Sequence, residues 1–484
     1  MQKKFLTNLV LVLVLNALVK PFYIIGIDAE ILKQVEASDP GSYGEYFSLL
    51  GVTFILNIFL DLGITNYNTR NIAQNNNLLK KHFSGILALR GILSVGYMLL
   101  IICSSFFLGY SEHQFEILAI LAVNQILVSF ILYFRSNLAG LLLFKQDSLV
   151  SILDRVLLIS ICSALLWGGL TDQHFKIEWF IYAQTFSYAL TAVIAFLLVL
   201  RRTGKIKFTF DRDFSWMIIK KSWPYALLIF LMMANYKADG VMLERMLPNG
   251  SEEAAVYARG YRFFEALNMV GYLFAGLLLP IFSKLLKQNE SIQQILYFSL
   301  KLMLAFSITC GFIGFFFQED IIHWRFDSFG DELINASLSF GMLMIGFIFI
   351  TTTYIFGTLL TANGNLKSLN IVISIGVVLN IGLNLYLIPE KGAYGAAIAS
   401  MITQGFTASL QVYLAFRILK IKVEWNQFTR IIVFAVLIIP TVYYSQLLEL
   451  SWSINLLISL LISTLVAFST GMVSIKGIVK ILKE

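Results

Sequence analysis

The chain has 484 residues, of which 58% are hydrophobic and only 13% charged; its mean hydropathy is +0.77 and its formal net charge +7. A soluble domain carries roughly 25% charged residues, so this composition cannot cover a water-facing surface and most of that surface must meet lipid. Lipid admits only helices or closed barrels, because every backbone polar group needs an internal partner. Barrel strands would appear as segments of about ten residues alternating in polarity. The apolar runs here are instead of the roughly 20-residue length that a spanning helix needs, without alternation.

Fourteen spans follow from these runs. The first, 5–27, comes after Lys3 and Lys4 and imitates a signal peptide, but no small-x-small site follows it, so it reads as an uncleaved span. The runs 44–66, 84–109, 115–143, 148–170 and 179–200 complete a first six. A second six covers 218–238, 254–282, 295–317, 337–362, 369–388 and 393–416, and 429–446 and 452–473 close the chain. The longest links, 28–43, 201–217 and 318–336, are too short to fold as domains.

Charge orients these spans. One set of ends holds Lys3, Lys4, Arg70, Lys80, Lys81, Lys145, Arg201, Arg202, Lys205, Lys207, Lys284, Lys287, Lys367, Arg417, Lys420, Lys422, Lys476, Lys480 and Lys483, among others. The alternate loops hold only Lys33, Lys176, Lys237, Arg245, Arg325 and Lys391, and the first is acidic, with Asp28, Glu30, Glu36 and Asp39. The positive-inside rule then predicts both termini in the cytoplasm. The net charge is explained by topology and requires no nucleic acid.

The chain also looks repeated. Tyr43-Gly44-Glu45-Tyr46 opens span 2 as Val256-Tyr257-Ala258-Arg259 opens span 8, and span 6 runs into Arg201-Arg202 as span 12 runs into Arg417. These offsets suit two six-helix lobes, 1–215 and 216–425, related by a pseudo-two-fold axis along the membrane normal, with helices 13–14 and a cytoplasmic tail in 426–484. The expected fold is an all-α polytopic membrane protein of about 14 transmembrane helices. Cys103, Cys162 and Cys310 lie in apolar runs without CxxC spacing, and His82, His113, His174 and His323 do not cluster, so no metal site or cofactor is expected.

Three stretches resemble the polysaccharide and O-antigen flippases of the multidrug/oligosaccharidyl-lipid/polysaccharide exporter superfamily. The first is Tyr43-Gly44-Glu45-Tyr46 with Asp61-Leu62-Gly63 and Arg70-Asn71-Ile72-Ala73, similar to the family's span 2. The second, 239–265, looks like its span 7 to span 8 hairpin, and the third, 380–398 (NIGLNLYLIPEKGAYGAAI), like its span 11 exit, external turn and span 12 start. The resemblance implies a flippase, not an enzyme, in a bacterial cytoplasmic (inner) membrane. Its substrate would be an undecaprenyl-diphosphate-linked oligosaccharide, moved to the periplasmic leaflet for O-antigen, capsule or exopolysaccharide assembly. The implied partners are that lipid-linked oligosaccharide, membrane lipids, a coupling ion (H+ or Na+), and polysaccharide polymerase and chain-length machinery. Many members have twelve spans, so the last two spans are the part it supports least. The residues carry a simpler reading beside it: Gly392, Ala393, Gly395, Ala396, Ala397 and Ala399 suit close helix packing, and Pro389 a helix stop.

Seven basic residues fall within the spans, Lys20, Arg90, Arg135, Arg155, Arg259, Arg262 and Lys301, against the acids Asp61, Asp154 and Glu265. A charge at the bilayer centre costs at least ~2.5–3.5 kcal/mol, so such groups face the bundle interior or water. A surplus of cations suits a diphosphate better than a proton relay or a cationic drug. Arg155 reads as pairing with Asp154 or snorkelling to the cytoplasmic interface, and Lys301 as snorkelling. Arg259, Arg262, Arg135, Arg90 and Lys20 are the candidate substrate-binding residues of a cationic central cavity worked by alternating access. Asp61, Glu265 and Asp239 are candidates for ion coupling or charge pairing; Asp61 also reads as a helix cap or a partner of Arg70. At the start of span 8 the spacing of three pairs Arg262 with Glu265 and leaves Arg259 less compensated, with one net positive charge on the stripe. No Walker A pattern occurs, so an ion gradient is the expected energy source. The rivals are an ion-coupled exporter of other substrates in the same superfamily, and a membrane glycan polymerase or ligase, which would carry long external segments.

Overall fold

The computed structural model describes residues 16, 18–65, 68, 72, 77–141, 143–169, 174–203 and 212–473, and their regular structure is entirely helical. Most of span 1 lies outside these residues, as do Arg70, Asn71 and Ala73 of the first motif and Lys205, Lys207, Lys476, Lys480 and Lys483 of the charge pattern.

A π-helical turn, Tyr23–Asp28, leads into α1 (Ala29–Ser38), α2 (Ser42–Leu56) and the short α3 (Ile58–Asp61). Then come α4 (Asn77–Leu108), α5 (Glu112–Gly140), α6 (Phe144–Trp167), α7 (Ile177–Thr203), α8 (Arg212–Met246) and α9 (Gly250–Lys287). The chain continues through α10 (Gln293–Phe316), α11 (Gln318–Phe326), α12 (Gly330–Ala362), α13 (Leu366–Leu419), α14 (Trp425–Gln446) and α15 (Trp452–Ser469). Among the described residues, twelve helical stretches are long and apolar enough to cross a membrane. One of them, the 54-residue α13, is two helices joined at a kink, where Gly392 has φ 51° and ψ −132°. Glycine suits that positive φ because it has no Cβ. A Cβ on Gly395 would lie 2.3 Å from the Leu387 carbonyl oxygen, so the second half of α13 starts against the end of the first. With α13 counted as two, the described residues hold thirteen of the fourteen expected spans, and most of the first expected span lies outside them.

Two short helices stand where links were expected. In α1, Ile31, Leu32 and Val35 are buried on one face, a helical spacing within an otherwise acidic link. In α11, Ile322 and Phe326 do the same, and Asp327 ends the helix at φ 49°.

The chain forms two compact units, residues 1–255 and 256–484. In the first, α2 packs on α8 and α5, and α5 on α7. The fit of α2 explains its motif. Gly44 meets the backbone of residue 251 so closely that a Cβ would lie 1.8 Å from the Ser251 carbonyl oxygen. Tyr43 donates its hydroxyl to Asp28 Oδ1 at 2.7 Å, and Tyr46 accepts from Gln184 at 2.8 Å. Glu36 takes the amides of Gly41 and Tyr43 at 2.8 Å each, satisfying donors that the start of a helix leaves orphaned. In the second unit, α12 packs on α13 and α10, and α14 on α15 and α10. Buried polar contacts such as Thr351 to Ser307 at 2.9 Å and Ser459 to Ser445 at 2.9 Å tie these helices.

Candidate functional site

Arg90 and Asp61 meet in the first unit. Arg90, on α4, is 1% exposed and forms an ion pair with Asp61 at the end of α3. Its other contacts are Thr65 Oγ1 at 2.7 Å, the Ser129 hydroxyl at 2.7 Å and the Ser129 carbonyl at 2.9 Å, and it lies 5.0 Å from the centre of the Tyr133 ring. Asp61 also accepts from the amide and hydroxyl of Thr65. Of the five N–H donors of a guanidinium, only that of Nε lacks a partner. These contacts bind α3, α4 and α5 into one network.

A second cluster in this unit gathers Lys20, Arg135 and Arg155 from three helices. Arg135 on α5 holds Asp147 on α6 through both carboxylate oxygens, at 2.7 and 3.5 Å. Arg155 on α6 stands between two tyrosines, 4.8 Å from the centre of Tyr23 and 5.7 Å from that of Tyr188, whose hydroxyl it reaches at 3.2 Å. Asp154 lies 3.8 Å from its Nε. Lys20 is within electrostatic range of Arg155, Arg135 and Asp154. The π-helical turn that begins at Tyr23 places this ring over Arg155. Both arginines keep about a quarter of their side-chain surface exposed, unlike Arg90. Three cations thus gather with Asp147 and Asp154, and the buried Asp28 carboxylate lies within electrostatic range of both tyrosines.

A third polar group was not anticipated. Glu244, buried at the end of α8, accepts from Gln114 at 3.0 Å and pairs with Arg245, which also donates to the Leu108 carbonyl at 2.9 Å and lies over Tyr110. Burial, followed by the neighbouring Glu244 carboxylate, pushes the Tyr110 phenol above its ordinary range. Adjacent opposite charges at the end of an apolar run were the available sequence signal. Asp239, five residues earlier, is fully buried on α8.

In the second unit the stripe on α9 is differently compensated from the sequence expectation. Arg262 donates to Glu265 at 2.7 Å, as the spacing of three predicts. Arg259, expected to be the less compensated member, forms an ion pair with Glu332 on α12 and donates to the Ser328 hydroxyl at 2.7 Å. Glu332 is far off in sequence and reaches Arg259 only because α11 folds the chain back. Both arginines are buried, and at least two carboxylates balance them, so the extra positive charge is absent. Lys301 donates to the Gly471 carbonyl at 3.4 Å. Among the described residues no group of three His, Cys, Asp or Glu side chains is arranged to hold a metal.

Residues 39–286 match the sequence profile of a family described as polysaccharide biosynthesis protein. No curated protein matches the chain. Among solved structures, the fold is similar to that of a lipid II flippase MurJ in an inward closed conformation. The identity is 16% and the TM-score 0.70, over 96% of this chain and 97% of that one. It is also similar to a multidrug resistance MATE family transporter of the MOP superfamily in an inward-facing conformation, at 13% identity and a TM-score of 0.63, covering 82% and 94%. An outward-facing MATE structure matches at 14% identity and a TM-score of 0.58, covering 83% and 94%.

Proposed function

The chain belongs to the polysaccharide biosynthesis protein family and has a multi-pass transporter fold rather than that of an enzyme, and from this premise we propose that it flips an undecaprenyl-diphosphate-linked oligosaccharide from the cytoplasmic to the periplasmic leaflet of a bacterial inner membrane. The product would feed O-antigen, capsule or exopolysaccharide assembly, and both termini would face the cytoplasm.

The observation that carries the reading is the Lys20, Arg135 and Arg155 cluster. A diphosphate brings more negative charge than one arginine balances, and guanidinium edges match phosphate oxygens in pairs. Stacking on Tyr23 and Tyr188 holds Arg155 in place, so little side-chain freedom is lost when an anion arrives. The lipid II flippase similarity supports a lipid-linked cargo, and the inward-facing and outward-facing transporters of the same fold support alternating access.

Deleting the gene tests the proposal. Lipid-linked repeat units should accumulate in the inner leaflet, and one surface glycan should be lost. Mature glycan left unattached in the periplasm would indicate a ligase instead. Unchanged glycan with raised sensitivity to cationic drugs would favour the exporter reading.

A further inference from the structure

The second unit contains a cleft of about 470 Å³ between α15 and the helices α9, α10, α11 and α12. Phe263, Phe340, Met344, Trp452, Leu457 and Leu460 form most of its wall. The only side-chain nitrogen and oxygen atoms in its lining belong to Ser453, Trp324 and Trp452. The cleft is open to its surroundings rather than an enclosed void, and it has room for an occupant from outside. A water would find too few polar partners to stay. The volume lies within the range of pockets that bind small organic ligands.

The position of the cleft narrows the choice. Trp324 and Trp452 stand 5.9 Å apart at one end, and tryptophans gather at the membrane–water interface. From Trp452 to Leu460 the cleft follows α15 for about 12 Å at ~1.5 Å per residue. One leaflet of a bilayer whose hydrocarbon core is ~30 Å thick is about 15 Å deep. The cleft therefore has the depth of one leaflet's acyl chain and starts where such a chain starts.

Charge selects the headgroup. α11, whose Ile321 and Trp324 form the mouth, carries Glu319 and Asp320 in its first turn, and Asp331 and Glu332 open α12. Arg325 stands on the same short helix and Glu332 is already held by Arg259, which leaves Glu319, Asp320 and Asp331 to repel a diphosphate and attract an amine.

We propose that the cleft is a phospholipid site that takes one acyl chain of an amine-headed lipid such as phosphatidylethanolamine. The chain fills the gap between α15 and the rest of the unit and fastens the α14–α15 hairpin to it.

The test is photolabelling of the full-length protein in vesicles of phosphatidylethanolamine and phosphatidylglycerol. A trace of phosphatidylethanolamine would carry a diazirine midway along one chain, and adducts would be mapped by mass spectrometry. Adducts on Leu456, Leu457, Cys310 and Met344 should exceed those on Leu461 and Leu465, the outward residues of α15 (each 66% exposed), by at least about fivefold. Leu457→Trp should cut the cleft adducts at least about threefold. If that variant does not fold, the wild-type distribution decides alone. Equal labelling of the cleft and the outward face would overturn the proposal. So would displacement of the probe by equimolar polyprenyl diphosphate, which would give the cleft to the transported lipid. Labelling by a phosphatidylglycerol probe as strong as by the phosphatidylethanolamine probe would overturn the headgroup assignment.

Discussion

The two units keep their intramembrane arginines in different company. In the second, Arg259 and Arg262 are buried and at least matched by Glu332 and Glu265. In the first, Arg90 is likewise buried and paired with Asp61, but Arg135 and Arg155 stay partly exposed and gather with Lys20 beside Asp147 and Asp154. Removing a buried, neutralised pair is a structural event, because the partner left behind keeps its desolvation cost. An open cluster has electrostatic attraction left for a ligand. Counting basic residues in the spans cannot separate these cases; their partners do.

The largest effect is expected for neither cluster but for Arg90, the buried reference. Arg90→Met strands Asp61 and should destabilise the protein by about 3–5 kcal/mol, read as loss of folded protein from the membrane. Normal abundance with selective loss of export would instead place Arg90 in the transport path. Next comes Arg155→Glu, which should reduce glycan export by about a hundredfold at unchanged protein level. Arg155→Lys should keep part of the activity, since the charge survives without the fork. Full export by Arg155→Glu would remove the first unit's claim to the anion.

The contrast is sharpened at Arg262. From the observed pairing with Glu265, Arg262→Glu should lower abundance, and Arg262→Gln should export within about twofold of wild type. Lost export by well-folded Arg262→Gln would reverse the comparison and restore α9 as the binding stripe. The smallest effect belongs to Lys420→Ala. Lys420 is exposed just beyond α13, and an exposed surface change usually stays within about ±0.5 kcal/mol. Unaltered export and abundance are the expected readings.

Hydrophobic runs made the helices legible, and Pro389 read as a stop close to the break in α13, but the break itself falls at Gly392, which read as a packing residue. The short helices α1 and α11 were not legible as elements, because their acids dominate the composition while only two or three apolar residues signal the buried face. Within the candidate sites, local spacing gave Arg262 with Glu265. The partners of Arg90 and Arg259 and the meeting of Lys20 with Arg155 depend on which helices become neighbours, and periodicity carries no record of that. Arg155 itself reads as a snorkelling residue, because the tyrosines that stack on it come from two other helices.

Gly44 has a mechanical consequence. A missing side chain lets α2 rest directly on the backbone at Ser251, and a few residues along, the Phe47 ring occupies the hollow at Gly240, where a Cβ would come within 2.6 Å. Two such seats on one helix work like a keyed joint. To slide or rotate against the 240–251 segment, α2 would have to drive a ring into one backbone and a carbonyl into another. In any rearrangement of the helices this part of the first unit must then turn as a single lever, and bending has to be taken up elsewhere. Even alanine at position 44 would act as a wedge in the joint.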